Sequence, residues 1–214
     1  ANEILTASYG ERMDQVLRYR KGDLWGIVNG IDTVEWDPKT DKRLVANYDI
    51  NDWKEGKAKN KEALQKELGL EVCPDKPLIG LVSRLTNQKG VYMITDRIRE
   101  IMGMDVQFAV LGSGEDNAEN AFKWMENEYK GKAVFYCGYN EDLAHRIYAS
   151  SDIFLMPSLY EPCGIGQLNA MRYGTLPLVR ETGGLKDTVQ PYNQYTGEGN
   201  GFSFWAANAD DMVY

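Results

Sequence analysis

Short apolar runs alternate with helix-periodic segments along most of the 214-residue chain. The runs have the length of strands and are apolar on both faces, which is typical of parallel strands covered by helices. They comprise residues 24–30, 77–85, 106–114, 133–139, 152–158, 175–181 and 201–205. The alternation predicts an α/β fold with a Rossmann-like, doubly wound parallel sheet. Ligands of such sheets bind beyond the carboxyl ends of the strands, where three glycine-containing turns of this sequence fall.

The N-terminal region departs from this pattern. Residues 1–23 predict one amphipathic helix. Its apolar side carries Ile4, Leu5, Met13, Val16 and Leu17. The next segment, "GDLWGIVNGIDTVEWDPKTDKRL", is rich in Gly, Asp and Pro and indicates an entry segment or hinge. The chain begins without methionine and ends in "NADDMVY", which resembles the opening of a helix, so we expect a fragment of a longer protein.

Composition narrows the classes of function. Hydrophobic residues make up 43% and charged residues 26% of the chain, a globular balance that predicts a substantial core. The formal net charge of −8 disfavours nucleic acids and anionic membranes as partners, because both are bound by basic surfaces. Any phosphate that this protein binds must therefore be held by a local site. No apolar run approaches the length of a membrane span, and the N-terminus does not resemble a signal peptide.

The cysteines and the single histidine limit the possible metal and redox chemistry. Cys73, Cys137 and Cys163 are far apart and form no CxxC pattern, which argues against a disulfide framework or a zinc site. A reducing compartment fits this usage better. His145 is the one histidine of the sequence, so a site built from several histidines is excluded.

The stretch "SRLTNQKG" places two cations at the end of a predicted strand. Arg84 and Lys89 lie five residues apart, before a helix that we expect to start near Gly90. Two such cations can clamp a diphosphate, Arg with its fork of donors and Lys with a compact charge. The alternative is a pair of solvated loop cations, which is the commoner fate of these residues.

Two glycine-containing turns could hold an anion at a helix N-terminus. In "LGSGED" we favour a tight strand-to-helix turn, with Glu115 and Asp116 as ordinary charges of a first helical turn. In "RETGGLKDTV", Thr182, Gly183 and Gly184 could form a phosphate nest, or Thr182 could be an N-cap.

Glu161 stands out in "LYEPCGIGQLNAMRYGTLPL". It follows a predicted strand and precedes a helix that we expect to begin around Cys163 or Gly164. A carboxylate there could simply complement the helix dipole. However, Pro162 stiffens the turn and the glycines allow close approach, an arrangement that suits a carboxylate accepting hydrogen bonds from sugar hydroxyls.

Together, "GIVNGIDTVEWDPKTD", "GLVSRLTNQKG" and "LYEPCGIGQLNAMRYGTLPLVRETGGLKDTV" resemble bacterial glycogen synthase and plant starch synthase, retaining glycosyltransferases of the GT-B fold. The resemblance extends from about Gly26 to Phe202. It implies the C-terminal half of such an enzyme. Residues 1–25 would then be the last helix of a missing N-terminal domain and the hinge. Residues 26–214 would be the nucleotide-sugar-binding domain, truncated at its C-terminal end.

The resemblance also implies a reaction. Glucose would pass with retention from ADP-glucose to the 4-hydroxyl of an α-1,4-glucan, whose binding would depend mainly on the missing domain. No metal or other cofactor is expected, and the fragment alone should be inactive. A bacterial source implies the cytoplasm, and a plant source the plastid. The alternatives are another GT-B transferase such as a sucrose-type enzyme, a non-catalytic nucleotide-sugar-binding module, or an unrelated Rossmann-like domain.

The family roles transfer to individual positions of this sequence. Arg84 and Lys89 would neutralise the donor diphosphate, and Glu161 would hold hydroxyls of the transferred glucose. Tyr139 would stack on the adenine, although a base stack does not by itself distinguish ADP from UDP. The remaining expected contacts, to sugar and phosphates, are Cys163, Gly164, Ile165, Thr182, Gly183 and Gly184. The resemblance leaves His145 a structural residue, away from the strand ends.

Overall fold

Six parallel strands form one sheet in the computed structural model, which describes residues 2–213. The strands are β1 (Leu78–Val82), β2 (Gln107–Gly112), β3 (Ala133–Cys137), β4 (Ile153–Met156), β5 (Leu176–Arg180) and β6 (Phe202–Phe204). Their order is β3-β2-β1-β4-β5-β6, with every neighbouring pair parallel. The predicted doubly wound sheet is therefore confirmed.

Helices cover both faces of this sheet. The helices are α1 (Asp14–Tyr19), α2 (Trp53–Leu68), α3 (Val91–Asp96), α4 (Ile98–Gly103), α5 (Asp116–Glu128), α6 (Glu141–Ser150), α7 (Gly166–Arg172), α8 (Gly183–Thr188) and α9 (Ala209–Val213). Short 3-10 turns lie at Glu3–Leu5, Lys21–Asp23 and Asn87–Lys89. The chain winds outward from β1 toward β3 and then returns to β4 on the other side of β1. The gap between the ends of β1 and β4 is thus the topological switch point.

Strand β2 shows why the apolar runs are continuous. All six of its residues are buried. Phe108 and Val110 pack into the core beneath α3, α4 and α5, whereas Ala109 and Leu111 pack into the core beneath α2, α6 and α7. Because side chains alternate between the two faces of a strand, a strand with a core on each face is apolar at every position.

The predicted strand at 24–30 is wrong. This segment belongs to no strand of the sheet, and Trp25 and Ile27 are 86% and 91% exposed. Its apolar side chains pack against no helix layer, so the run has the composition of a strand without the burial that stabilises one. The segment is an extended connection, in keeping with its glycines at Gly26 and Gly30.

The single N-terminal helix predicted over residues 1–23 is also wrong within the part that is described. The chain forms the 3-10 turn Glu3–Leu5, then α1, then the 3-10 turn Lys21–Asp23. Glu11 and Arg12 have positive φ angles of 48° and 68°, which interrupt a right-handed helix. The apolar periodicity did not reveal this break, and Met13 and Val16 remain about half exposed.

Candidate functional site

A pocket with a volume of about 460 Å³ opens at the switch point. It lies where the chain leaves the carboxyl ends of β1 and β4, the position at which sheets of this topology bind ligands. Among its lining residues are Asn29, Ser83, Arg84, Lys89, Ser158, Glu161, Cys163, Gly164 and Ile165. Six of the ten residues predicted from the sequence as site residues are therefore brought together here.

The loop after β1 is held by backbone contacts. The N–H groups of Ser83 and Leu85 donate to the carbonyls of Leu111 and Ser113, at 3.1 and 2.9 Å. Gly90 has a φ of +71°, and a Cβ on it would overlap the carbonyl oxygen of Pro157. The loops that follow β1 and β4 thus touch at a glycine, one residue after Lys89.

Lys89 and Glu161 form an ion pair through Nζ and Oε2. The Glu161 side chain is 9% exposed and that of Lys89 is 20% exposed, so the pair is mostly shielded from water. Ser158 Oγ lies 3.4 Å from the same carboxylate oxygen. The sequence assigned these two side chains to different parts of a ligand, whereas in the structure each is the partner of the other.

Arg84 has a different environment. Its side chain makes no hydrogen bond or ion pair with any residue from 2 to 213, and it is exposed at the rim. It lines the 460 Å³ pocket and also a second pocket of about 260 Å³ beside it. The guanidinium is therefore available to an anion that spans the two pockets.

Tyr139 belongs to the second pocket and is 86% exposed. The pocket is lined on its other sides by Val82, Ser83, Arg84, Leu111, Gly112, Ser113, Gly138, Asn140 and Ala144. The two pockets share three lining residues, Val82, Ser83 and Arg84. This short segment therefore separates the pocket of Tyr139 from the pocket of Lys89 and Glu161. An exposed ring over a small concave surface can stack on a planar group.

The turn in "LGSGED" is the tight connection that the sequence favoured. A Cβ on Gly112 would overlap the carbonyl oxygen of Ser83, and one on Gly114 would overlap that of Leu85. Glu115 accepts a hydrogen bond from the N–H of Asn87 at 2.9 Å. This turn thus supports the loop that carries Arg84 and Lys89.

Cys163, Gly164 and Ile165 form one wall of the first pocket. Cys163 Sγ accepts a hydrogen bond from the backbone N–H of Asn29 at 3.1 Å, which fastens the extended hinge segment to the wall. Gly164 has a φ of +75°, so α7 begins at Gly166, later than the expected start at Cys163 or Gly164. Asn29 is a pocket residue that the sequence did not single out, and the polar "NGID" stretch was its one signal.

Thr182, Gly183 and Gly184 lie outside the lining of this pocket. The N–H of Gly183 donates to Glu3 Oε1 at 2.8 Å, and that of Gly184 donates to the carbonyl of Glu161 at 3.1 Å. Thr182 is at the N-cap position of α8, but its side chain makes no capping hydrogen bond. The hydrogen bond from Gly184 thus holds the loop around Glu161 from outside the pocket lining.

The switch point of this sheet thus carries two cations, which can bind an anion, and a shielded carboxylate, which can accept hydrogen bonds. The chain belongs to the family of glycosyl transferases group 1, whose family model matches residues 60–213. No helix in the described residues is long and apolar enough to cross a bilayer.

Within this family the chain is similar to glycogen synthases over its whole length. It is 54% identical to the glycogen synthase of Bacillus cereus over 212 residues, covering 99% of this chain and 44% of the relative. It is 49% identical to that of Clostridium botulinum, covering 100% of this chain and 45% of the relative. The chain thus spans less than half the length of these curated relatives.

A solved structure extends the similarity to the fold. The catalytic domain of starch synthase IV from Arabidopsis thaliana, bound to ADP and acarbose, superposes with a TM-score of 0.92 at 38% identity. The match covers 100% of this chain and 44% of that one. The fold is therefore the Rossmann-like α/β fold of GT-B glycosyltransferases, as the sequence predicted.

Proposed function

We propose that this chain is the donor-binding half of a glycogen or starch synthase. The whole enzyme would transfer glucose with retention from ADP-glucose to the 4-hydroxyl of an α-1,4-glucan. The observation that carries the proposal is the pair of pockets that share Val82, Ser83 and Arg84 at the switch point. The same proposal places the protein in the bacterial cytoplasm, or in a plastid if the source is a plant.

The two pockets divide the donor between them. The adenine would stack on Tyr139 in the smaller pocket, and the glucose would occupy the larger one beside Glu161. Arg84, on the shared wall, would then contact the diphosphate between them. The ADP and acarbose bound to the starch synthase support this assignment, since that protein is 38% identical to the chain.

The ion pair between Lys89 and Glu161 suggests how the site exchanges partners. When a diphosphate arrives, Lys89 Nζ can turn to the phosphate oxygens, and the carboxylate of Glu161 then accepts hydrogen bonds from sugar hydroxyls. Each charge keeps a partner before and after binding, so neither is left buried and unpaired. The pocket is thereby prepared for a ligand that is anionic at one end and rich in hydroxyls at the other.

The chemical step depends on stabilising the departing diphosphate. Arg84 and Lys89 supply positive charge at the place where negative charge develops, the role that a divalent metal has in other transferases. We propose no metal for this step. Glu161 is paired with Lys89 and has no second carboxylate in the pocket lining, so the double-carboxylate arrangement of retaining glycosidases does not fit. A front-face transfer, in which the diphosphate helps to deprotonate the acceptor hydroxyl, fits these residues better.

Lys89→Ala tests the assignment. The variant should bind ADP about tenfold more weakly, because it loses a charge-assisted hydrogen bond to the diphosphate. The loss is limited because the ion pair with Glu161, which competes with ADP for Lys89, is lost as well. Adenosine, which has no phosphate, should bind equally to both proteins. Isothermal titration of ADP and adenosine, extended to UDP and GDP, measures this difference and the base preference.

The matched controls are Lys130→Ala and Glu161→Gln. Lys130 is exposed and lies outside both pockets, so its removal should leave ADP binding unchanged. Glu161→Gln should retain ADP and bind ADP-glucose more weakly than the wild type. An equal loss of ADP and adenosine in Lys89→Ala would remove the diphosphate role.

A further inference from the structure

A second cluster of polar side chains lies at the start of α6, outside both pockets. One carboxylate oxygen each of Glu35 and Glu141 and one ring nitrogen of His145 lie within 4.8 Å of one another. Glu141 and His145 are four residues apart on the same helix, so their side chains share one face. Glu35 comes from a turn within the hinge segment, residues 22–44. The single histidine excluded a site of several histidines, but not one with a histidine and two carboxylates.

The histidine is held in one orientation. Its Nδ1 lies 2.8 Å from Asp41 Oδ2, and Trp36 stacks on the ring at a centroid distance of 3.8 Å. Asp41 is itself buried. Nδ1 also lies 3.1 Å from the Tyr173 hydroxyl, which itself donates to Asp41. Both polar neighbours of the ring thus lie at Nδ1, and Nε2 is the nitrogen that can act as a metal ligand.

That second nitrogen has no partner in the described part of the chain. His145 is fully buried, and Nε2 makes no hydrogen bond to any group of residues 2–213. The carboxylate of Glu141 likewise makes no hydrogen bond or ion pair with these residues. Arg43 does not compensate the whole cluster. It is shared among three carboxylates, Glu35 and Asp142 at 2.8 Å and Asp41 at 3.7 Å, and it makes no ion pair with Glu141 in the described residues.

Arg43 offsets part of the charge of Glu35, but the Glu141 carboxylate and the Nε2 lone pair are left without a positive partner among the described residues, and such groups repel one another at this distance. We propose that Glu35, Glu141 and His145 Nε2 bind a divalent transition-metal ion, with Zn²⁺ preferred. Imidazole and carboxylates suit Zn²⁺, whereas Mg²⁺ prefers oxygen ligands alone. Asp41 behind the histidine completes the carboxylate–histidine–zinc arrangement, which orients the ligand ring.

The geometry requires only small adjustments. Tetrahedral zinc with bonds of about 2.0–2.1 Å separates its ligand atoms by roughly 3.3 Å. His145 is fixed, but both glutamates are exposed and can close the remaining gap. The ion would fasten the turn around Glu35 to the first turn of α6. This inference is independent of donor binding, since none of the three ligands lines either pocket.

Titration with metal tests the proposal. Chelator-treated protein should bind one Zn²⁺ per chain by isothermal titration, and Co²⁺ should produce a visible ligand-field spectrum of nitrogen and oxygen ligation. Glu141→Gln and Glu35→Gln should each weaken Zn²⁺ binding at least tenfold, with an unchanged circular dichroism spectrum. These exposed positions are used because replacing the buried His145 could prevent folding.

Glu128→Gln is the matched control. Glu128 is an exposed helical glutamate whose side chain makes no hydrogen bond or ion pair within residues 2–213, and its replacement should leave Zn²⁺ affinity unchanged. Equal affinities for Glu141→Gln and Glu128→Gln would overturn the proposal, because the ion would then be bound elsewhere. A wild-type protein that gives no Co²⁺ spectrum would overturn it as well.

Discussion

Lys57 is a buried lysine surrounded by oxygen atoms. Its Nζ donates to Thr175 Oγ1 at 2.8 Å and to the carbonyls of Ala149 and Ser151 at 3.0 Å. Those carbonyls lie at and just after the C-terminus of α6, where a helix leaves backbone acceptors unpaired. Lys57 therefore joins α2 to the end of α6, on the side of the sheet away from α5.

Burial lowers the pKa of Lys57 to about 7, from an ordinary value of 10.5. Between these two values the unfolded chain holds a proton that the folded chain has released. The contribution of this group to the free energy of unfolding should therefore rise with pH, by about 1 kcal/mol per pH unit. Below pH 7 both states are protonated, and the contribution stays at its minimum.

Urea unfolding of the wild type and Lys57→Met at pH 7, 8 and 9 measures this effect. Both proteins share every other titrating group, so the difference between their unfolding free energies isolates Lys57. The wild type should gain stability relative to the variant as the pH rises. A difference that stays constant across the three pH values would contradict the shifted pKa.

At the scale of elements, the contact between the loops after β1 and β4 positions the charges of the site. Gly90→Ala should disrupt it, because the new Cβ would overlap the Pro157 carbonyl at a φ of +71°. We expect a loss of roughly 1–3 kcal/mol in the free energy of unfolding, with weaker ADP binding because the loop that carries Lys89 is displaced from the pocket. Urea unfolding and ADP titration measure both effects.

Gly69 supplies a close control for this substitution. It ends α2 with a φ of +70°, and a Cβ there would meet nothing within 4 Å. Gly69→Ala thus carries the conformational cost, about 1 kcal/mol, without the overlap. If both alanine variants lost the same stability and retained ADP binding, the loop contact would have no role in the site.

The strands and loops of the sheet show which parts of the fold and of the site could be predicted from the sequence. The six strands of the sheet were predictable from their apolar runs, which are fully buried in central β2 and partly exposed in the edge strands β3 and β6. The segment around Trp25 and Ile27 has the same composition, and only its tertiary surroundings show that it is not a strand. Arg84, Lys89 and Glu161 converge because parallel strands end at one edge. Their pairing was not predictable, since the contact of Lys89 with Glu161 depends on how two separate loops approach each other.

The TGG turn shows the same limit. Its glycines indicated a close approach by some group, and they do allow one. The backbone around Glu161 and Cys163 is one group that approaches them, at the positions where a Cβ of Gly183 or Gly184 would lie. The predicted contact of this turn with phosphates stays a prediction. A glycine pattern predicts that another group approaches the backbone closely, but it does not identify that group.

At the scale of the whole molecule, the first pocket has a wall on the side of the sheet and is open on the other. Under the proposed function, catalysis would require closure by a facing domain, which would exclude water and complete the contacts to the acceptor. We therefore expect this chain alone to bind ADP-glucose weakly and not to elongate glucan. Incubation with labelled ADP-glucose and glycogen checks this, with an active glycogen synthase as the positive control. Robust chain extension would contradict it.

The wall shared by the two pockets has a consequence for the evolution of this site. Val82, Ser83 and Arg84 face both the pocket of Tyr139 and the pocket of Glu161. Under the proposed placement of the donor, a substitution that reshapes this segment for another nucleobase would also alter the space beside the sugar. Changes of donor are therefore expected to arise first at positions that line the smaller pocket alone, such as Asn140, while the shared segment changes more slowly.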